Sequence, residues 1–171
     1  LRLVFDCRQV ILQYRTPGRP HLSTPGASGQ LRVGRGSGEA SRPFRGRLVS
    51  VDLDNSFYLF RWSEVSELFS LDAEFRAGDL GVTSALDEAG VPVAVGAYTY
   101  VYVCLATLPM GWNWSMYFCH GVCTDVSLRA LGRANLLVGD PLRQLVCDGR
   151  LPAVLAAGAP LAPPCVDNSP F

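Results

Sequence analysis

The chain has 171 residues, 49% of them hydrophobic and 18% charged, which is enough to bury one core and too short for two ordinary domains. Fifteen arginines, with no lysine, balance fifteen acidic residues, and a net charge of zero excludes a global pull toward nucleic acid or an anionic membrane. The balance hides a split: residues 1–47 hold nine of the arginines against Asp6 and Glu39, a net +7, and the remainder carries −7.

Residues 1–14 alternate apolar and polar side chains and read as a strand running into a turn. From Arg15 to Gly46 prolines and glycines dominate, and too little apolar surface is left to offset ordering entropy, so a flexible basic segment is expected. Gly34, Gly36 and Gly38 resemble a phosphate loop only superficially, since no hydrophobic strand precedes them. Order returns at Leu48, where LVSVDL reads as a β-rich run ending at Asp52 and Asp54. A short helix is expected next, with Ser63 as its cap and Val65, Leu68 and Phe69 as its apolar face.

The run VPVAVGAYTYVYVCLATLP (91–109) carries a period of two, with Tyr98, Tyr100 and Tyr102 on one face, and predicts a strand. From Ser115 the period becomes helical: Met116, Cys119, Cys123, Val126 and Ala130 recur at three and four, Phe118 and Val122 widen the stripe, and Gly132 is a natural stop. A strand is expected around Gln144–Cys147. Strands and helices interleave, so the fold class is α/β or α+β.

The stretch from Leu151 to Val166 is broken by four prolines and a glycine and falls short of the roughly 20 apolar residues of a spanning helix. Arg2, Asp6 and Arg8 interrupt any signal-peptide core. The expectation is a piece of a longer reading frame, intracellular, in cytoplasm or nucleus, and neither secreted nor membrane-bound. Six spread cysteines inside hydrophobic runs read as buried reduced thiols. Cys119, His120 and Cys123 suggest a zinc site, since positions i and i+4 share a helix face, but they lack a second ligand pair, because the only other histidine is His21, so a zinc site is disfavoured.

With no Gly-x-Ser-x-Gly elbow and no P-loop lysine, the carboxylates are what remain for chemistry. Asp52 and Asp167 each follow an apolar approach, and acids at strand ends can converge on a divalent cation. By spacing alone, each merely ends a strand in solvent.

Four stretches, taken in order, resemble the motifs of a retroelement reverse transcriptase. RLVFDCR (2–8) is similar to the fingers motif with its paired arginines. VDLDNSFY (51–58) resembles palm motif A, in which a strand delivers an aspartate and an aromatic residue lies five positions on. LPMGWNWSMYF (108–118) resembles motif B and is the most specific match, and CVDN (165–168) resembles motif C. The resemblance implies a polymerase palm-like antiparallel sheet backed by helices, with a partial fingers region over 1–47 and a palm over 48–171 that lacks a thumb.

The same resemblance implies RNA-directed DNA synthesis by two-metal nucleotidyl transfer. Its catalytic set is Asp52, Asp167 and Asn168, the last standing where most members have a second aspartate. Asp52, the carbonyl of Leu53 and Asp167 would hold Mg2+, with Mn2+ as the alternative ion. Arg2 would lie on the nucleotide phosphates, Phe57 would exclude the ribose 2′-hydroxyl, and Met110 and Gly111 would line the nucleotide pocket. For Phe57 and Met110 ordinary core packing is the competing reading. The implied partners are an RNA or DNA template with primer and deoxynucleoside triphosphates. The fragment alone is expected to be inactive or weak, and the alternative is a non-catalytic palm remnant or nucleic-acid-binding fragment. A secreted disulfide-linked module is the reading ranked last.

Overall fold

The computed structural model describes residues 5–34, 56–156 and 159–164. Over these, the chain mixes helices with short two-stranded sheets and belongs to the α+β class.

The first described element is a helix, α1 (Arg8–Gln13), where alternation predicts a strand. Cys7, Val10 and Ile11 explain the difference. Their spacing of three and four puts them on one helix face, and Cys7 and Val10 are buried there, with Ile11 packed against them. The period-two pattern along residues 1–14 is real, but it loses to the contact that this face makes with the core.

The expected flexible segment carries two elements over its described part. Helix α2 (Pro25–Gly29) begins with Pro25 at its first position, and the Thr24 hydroxyl accepts from the Ala27 amide at 3.1 Å, the standard way to satisfy an orphan donor at a helix start. Strand β1 (Arg32–Val33) pairs in parallel with β6 (Val154–Leu155). The Ser23 hydroxyl donates to the Val146 carbonyl, and the Asp148 amide donates to the Leu22 carbonyl at 2.9 Å. A small core of Ala27, Val146 and Ala153, with Leu161 against it, forms beneath these contacts. The pairing is long-range, so composition alone gives no sign of it.

Two 3-10 turns follow, Ser56–Leu59 and Ser63–Phe69, the second capped by Trp62 with Ser63 as its first residue. It buries Val65 and Phe69 as the spacing predicts. Strand β2 (Ser70–Arg76) pairs antiparallel with β5 (Tyr100–Cys104), with an irregularity between Ser70 and Glu74. The single strand predicted over 91–109 is two, β4 (Pro92–Ala94) and β5, separated by a turn in which the Gly96 amide donates to Thr99 Oγ1. Glycine at 96 between two β-rich runs is the local reason.

Strand β3 (Ser84–Leu86) closes a hairpin with β4. The Asp87 carboxylate accepts from the amides of Ala89 at 2.9 Å and Val91 at 2.8 Å, and Gly90 supplies a φ of +73°, a side-chain-stabilised turn of the kind aspartate favours. Between β2 and β3 lies a short helical turn, α3 (Ala77–Leu80), ended by Gly81 at φ +66°. Both antiparallel pairs stand clear of the core: Tyr98, Tyr100, Tyr102 and Leu86 are all more than half exposed.

The long helix α4 (Asn113–Arg133) spans the helical period of the sequence. Only its first half is buried. Ser115, Cys119 and His120 lie inside, whereas Val126 is 58% exposed and Ala130 is also exposed. The expected stripe therefore meets the core at its N-terminal end alone, because the packing partners of α4 come from residues 5–22 and 56–69. A 3-10 turn at Pro141–Gln144 replaces the strand expected around Gln144, and Leu145 makes one isolated parallel bridge to Ala162. No described helix is long and apolar enough to cross a membrane.

Candidate functional site

The main core joins three of the four motif-like stretches. Cys7 from the first, Phe57 from the second, and Leu108, Trp112 and Cys119 from the third stretch and the helix it opens are buried in one cluster with Val10, Val65 and Phe69. The Cys7 thiol donates to the carbonyls of Phe5 at 3.5 Å and Met110 at 3.9 Å. Aromatic rings tie the stretches together edge to face: Phe5 to Phe69 at 6.2 Å, Phe69 to Trp112 at 5.4 Å and Trp62 to Phe118 at 5.0 Å. Such pairs add directional preference to their burial.

The turn into α4 is shaped by Gly111, which sits at φ +98°. A side chain there would be strained whatever the space, and the carbonyl of Phe5 lies 3.9 Å from where a Cβ would stand. The Leu-Pro-Met-Gly-Trp wording thus has a local structural reason: Pro109 is buried, Gly111 turns the backbone, and Trp112 enters the core.

Of the residues assigned to chemistry, Phe57 is 6% exposed and packed in the core, Met110 is half-buried against it, and Gly111 is exposed. Arg2, Asp52, Leu53, Asp167 and Asn168 lie outside the described residues. Among the described residues, no group of three His, Cys, Asp or Glu side chains is placed to hold a metal ion, Cys119, His120 and Cys123 included. Cys7 and Cys119 are buried free thiols and Cys147 is also buried, while Cys104 is free and exposed rather than buried, since β5 stands clear of the core.

Polar groups around the motif-B-like stretch are left without partners. Thr107 Oγ1, Trp112 Nε1, Asn113 Oδ1 and Ser115 Oγ are buried and make no hydrogen bond among the described residues. A buried polar atom left unpaired costs about 1–3 kcal/mol, and native proteins carry few of them. Four within nine residues mark the entry of α4 as the strained, polar part of the core. The spacing of the sequence gives no hint of this, because it arises from the way α4 meets the turns at 56–69.

On the surface beside this region, Arg8 is occupied. Its guanidinium donates from Nε to the Asp6 carboxylate at 2.9 Å and 3.1 Å, and that hydrogen bonding holds the Asp6 carboxyl down to about 2. The second arginine of the fingers-like stretch is thus paired locally. No protein-family model, curated protein or solved structure matches this chain.

Proposed function

We propose that the chain is the palm, with part of the fingers, of a retroelement-type reverse transcriptase that performs RNA-directed DNA synthesis. The observation that carries this reading is the convergence of Phe5–Cys7, Phe57 and Leu108–Phe118 on one core, although as many as 103 residues separate Cys7 from its partner Met110. Building one site is a reason for stretches that resemble successive polymerase motifs to pack together. The polar atoms at the start of α4 that have no partner among the described residues support the same reading, since a catalytic role or a bound ion is one of the explanations such groups call for.

In this reading, the two antiparallel pairs and α4 belong to a palm-like sheet backed by helices, and Asp52, Leu53 and Asp167 are the ligands of Mg2+ or Mn2+. The ion, when bound, lowers the pKa of the primer 3′-hydroxyl and neutralises the triphosphate. Arg2 would meet the phosphates through a bidentate fork. Gly111, with no side chain at an exposed turn, lets the backbone approach the nucleotide. Phe57 and Met110 would form the apolar wall behind the sugar.

The test is Mn2+-dependent binding of a deoxynucleoside triphosphate to the chain, followed by primer extension on poly(rA) with oligo(dT) by the chain joined to a thumb, since the fragment alone is expected to be inactive or weak. Binding and extension that are both lost in Asp52→Ala and in Asp167→Ala are the expected result. Triphosphate binding that is unaffected by both substitutions would sink the assignment.

A further inference from the structure

We propose that His120, Thr124, Arg150 and His21 form a binding site for a phosphate group, open to solvent on the His21 side. Residues 15–21 run alongside α4: the Trp114 indole donates to the Arg15 carbonyl at 2.9 Å, and the Tyr117 ring lies 3.8 Å from where a Cβ at Gly18 would stand. The next positions on the two segments are His21 and His120. His21 is anchored by a 2.8 Å hydrogen bond between its Nδ1 and the Asp148 carbonyl, and its ring lies 3.0 Å from where a Cβ at Gly149 would stand. The loop that carries Arg150 is therefore laid against His21. Gly149 at φ +70° allows this close approach.

On α4 and on the 148–150 loop, three buried polar atoms have no partner among the described residues: His120 Nδ1, Thr124 Oγ1, one helical turn further along α4, and Arg150 Nε. His120 is 8% exposed. Arg150 makes no ion pair among the described residues, and the nearby Asp148 carboxylate lies instead beside Gly26, 3.9 Å from where a Cβ there would stand. The charges of His21 and Arg150 are felt at His120, where together with burial they disfavour the imidazolium. A corner with an arginine, unused donors and no carboxylate paired to Arg150 among the described residues calls for an anion with several acceptor oxygens. A phosphate group offers acceptors in several directions, and a guanidinium supplies the charge-assisted bonds it needs. Donors arriving from α4 and from the 148–150 loop suit a tetrahedral oxyanion better than a planar carboxylate.

None of these four residues is among those assigned to polymerase chemistry. The probe is inorganic phosphate, added to the whole chain while the imidazole signals of His21 and His120 are followed by NMR at constant ionic strength. Saturable shifts of both rings are expected by about 10 mM, with affinity falling about tenfold in Arg150→Gln, the order of one lost charge-assisted hydrogen bond. His21→Gln, at an exposed position, should weaken binding as well, and it decides the matter if Arg150→Gln does not fold. A deoxynucleoside 5′-monophosphate titrated in parallel distinguishes the sources: tighter binding than phosphate assigns the site to a nucleotide phosphate, and equal binding assigns it to the free ion. Absence of saturable shifts, or unchanged affinity in the folded variants, would overturn the site. Asp52→Ala should leave phosphate binding intact, so this result and the polymerase reading can fail independently.

Discussion

The Cys7 sulfur lies 3.9 Å from the Met110 carbonyl, a contact spanning 103 residues of chain that joins the start of α1 to the turn before α4. Phe57, Val65, Phe69 and Leu108, which lie between them in the chain, share the core with Cys7, while the β3–β4 hairpin stands clear of it. Burial, with the Asp6 charge added to it, pushes the Cys7 thiol up.

Cysteine reactivity should therefore sort by place in the fold. Cys119 is fully buried and its thiol is pushed up to about 12, chiefly by burial, leaving roughly one part in ten thousand as thiolate at about pH 8. Cys104 is exposed on β5. Its thiol is also raised, first by desolvation and then by the Glu67 charge, but reagent can reach it. Iodoacetamide labelling of the native chain, mapped by mass spectrometry, should modify Cys104 first and Cys119 only on unfolding. Equal labelling of the two in the folded protein would mean that the α4 core is not formed as described.

Phe69→Ala should destabilise the chain by about 3–5 kcal/mol. Phe69 is 3% exposed and packs edge to face against both Phe5 and Trp112, so truncation removes apolar burial, opens a cavity and breaks two aromatic pairs at the junction of the motif-like stretches. Leu86, 56% exposed on the β3–β4 hairpin, is the control, and Leu86→Ala should stay within about 0.5 kcal/mol. Urea unfolding followed by tryptophan fluorescence checks both, and comparable losses from the two would mean that the core is not centred on Phe69.

How much of this was legible in the sequence differs by element, for physical reasons. Helix α4 was readable because its period of three and four persists over five turns, and the observed Asn113–Arg133 differs from the reading at Ser115–Gly132 by a residue or two. Strand β5 was readable because three tyrosines alternate. Helix α1 was missed because residues 1–14 satisfy two periods at once, and only the tertiary contact of Cys7 and Val10 chooses between them. The pairing of β1 with β6 joins residues more than 120 positions apart, which no local pattern encodes. Of the candidate site, motif wording names Phe57, Met110 and Gly111, whereas the buried polar atoms of Trp112, Asn113 and Ser115 without partners among the described residues need the packing. His21 and His120 are weighed in the sequence only as zinc ligands or triad members, since a lone histidine in sequence says nothing about what faces it.

Gln144 shows a second long-range feature with a measurable consequence. Its side chain is 4% exposed and serves three backbone groups: Nε2 donates to the carbonyls of Leu136 and Pro160, both at 2.9 Å, and Oε1 accepts from the Val138 amide at 2.8 Å. At about 1 kcal/mol for each hydrogen bond, with part of the backbone left unpaired, Gln144→Ala should cost about 2–4 kcal/mol. The specific readout is hydrogen exchange. The Val138 amide should lose protection in Gln144→Ala while amides in the middle of α4 keep theirs, and an unchanged Val138 rate would show that this bond does not hold the turn.

His120 should make stability fall as the solution is acidified. Burial, reinforced by the charges of His21 and Arg150, holds its pKa below the ordinary 6.5. A histidine whose pKa is depressed by folding takes up its proton more readily in the unfolded chain, so protonation draws the equilibrium toward unfolding. The penalty is absent well above pH 6.5, grows as the pH falls through 6.5, and levels off once the pH passes below the lowered native value. His21 and Arg150 are the charged groups that act on this ring, so a bound phosphate group beside them would oppose the effect by stabilising the imidazolium. Urea midpoints measured between about pH 8 and 5 in chloride should therefore decline for the native chain. His120→Gln, which cannot titrate, should flatten that part of the curve, and adding phosphate should flatten it for the native chain alone. A slope that is identical in His120→Gln would assign the acid sensitivity to other groups.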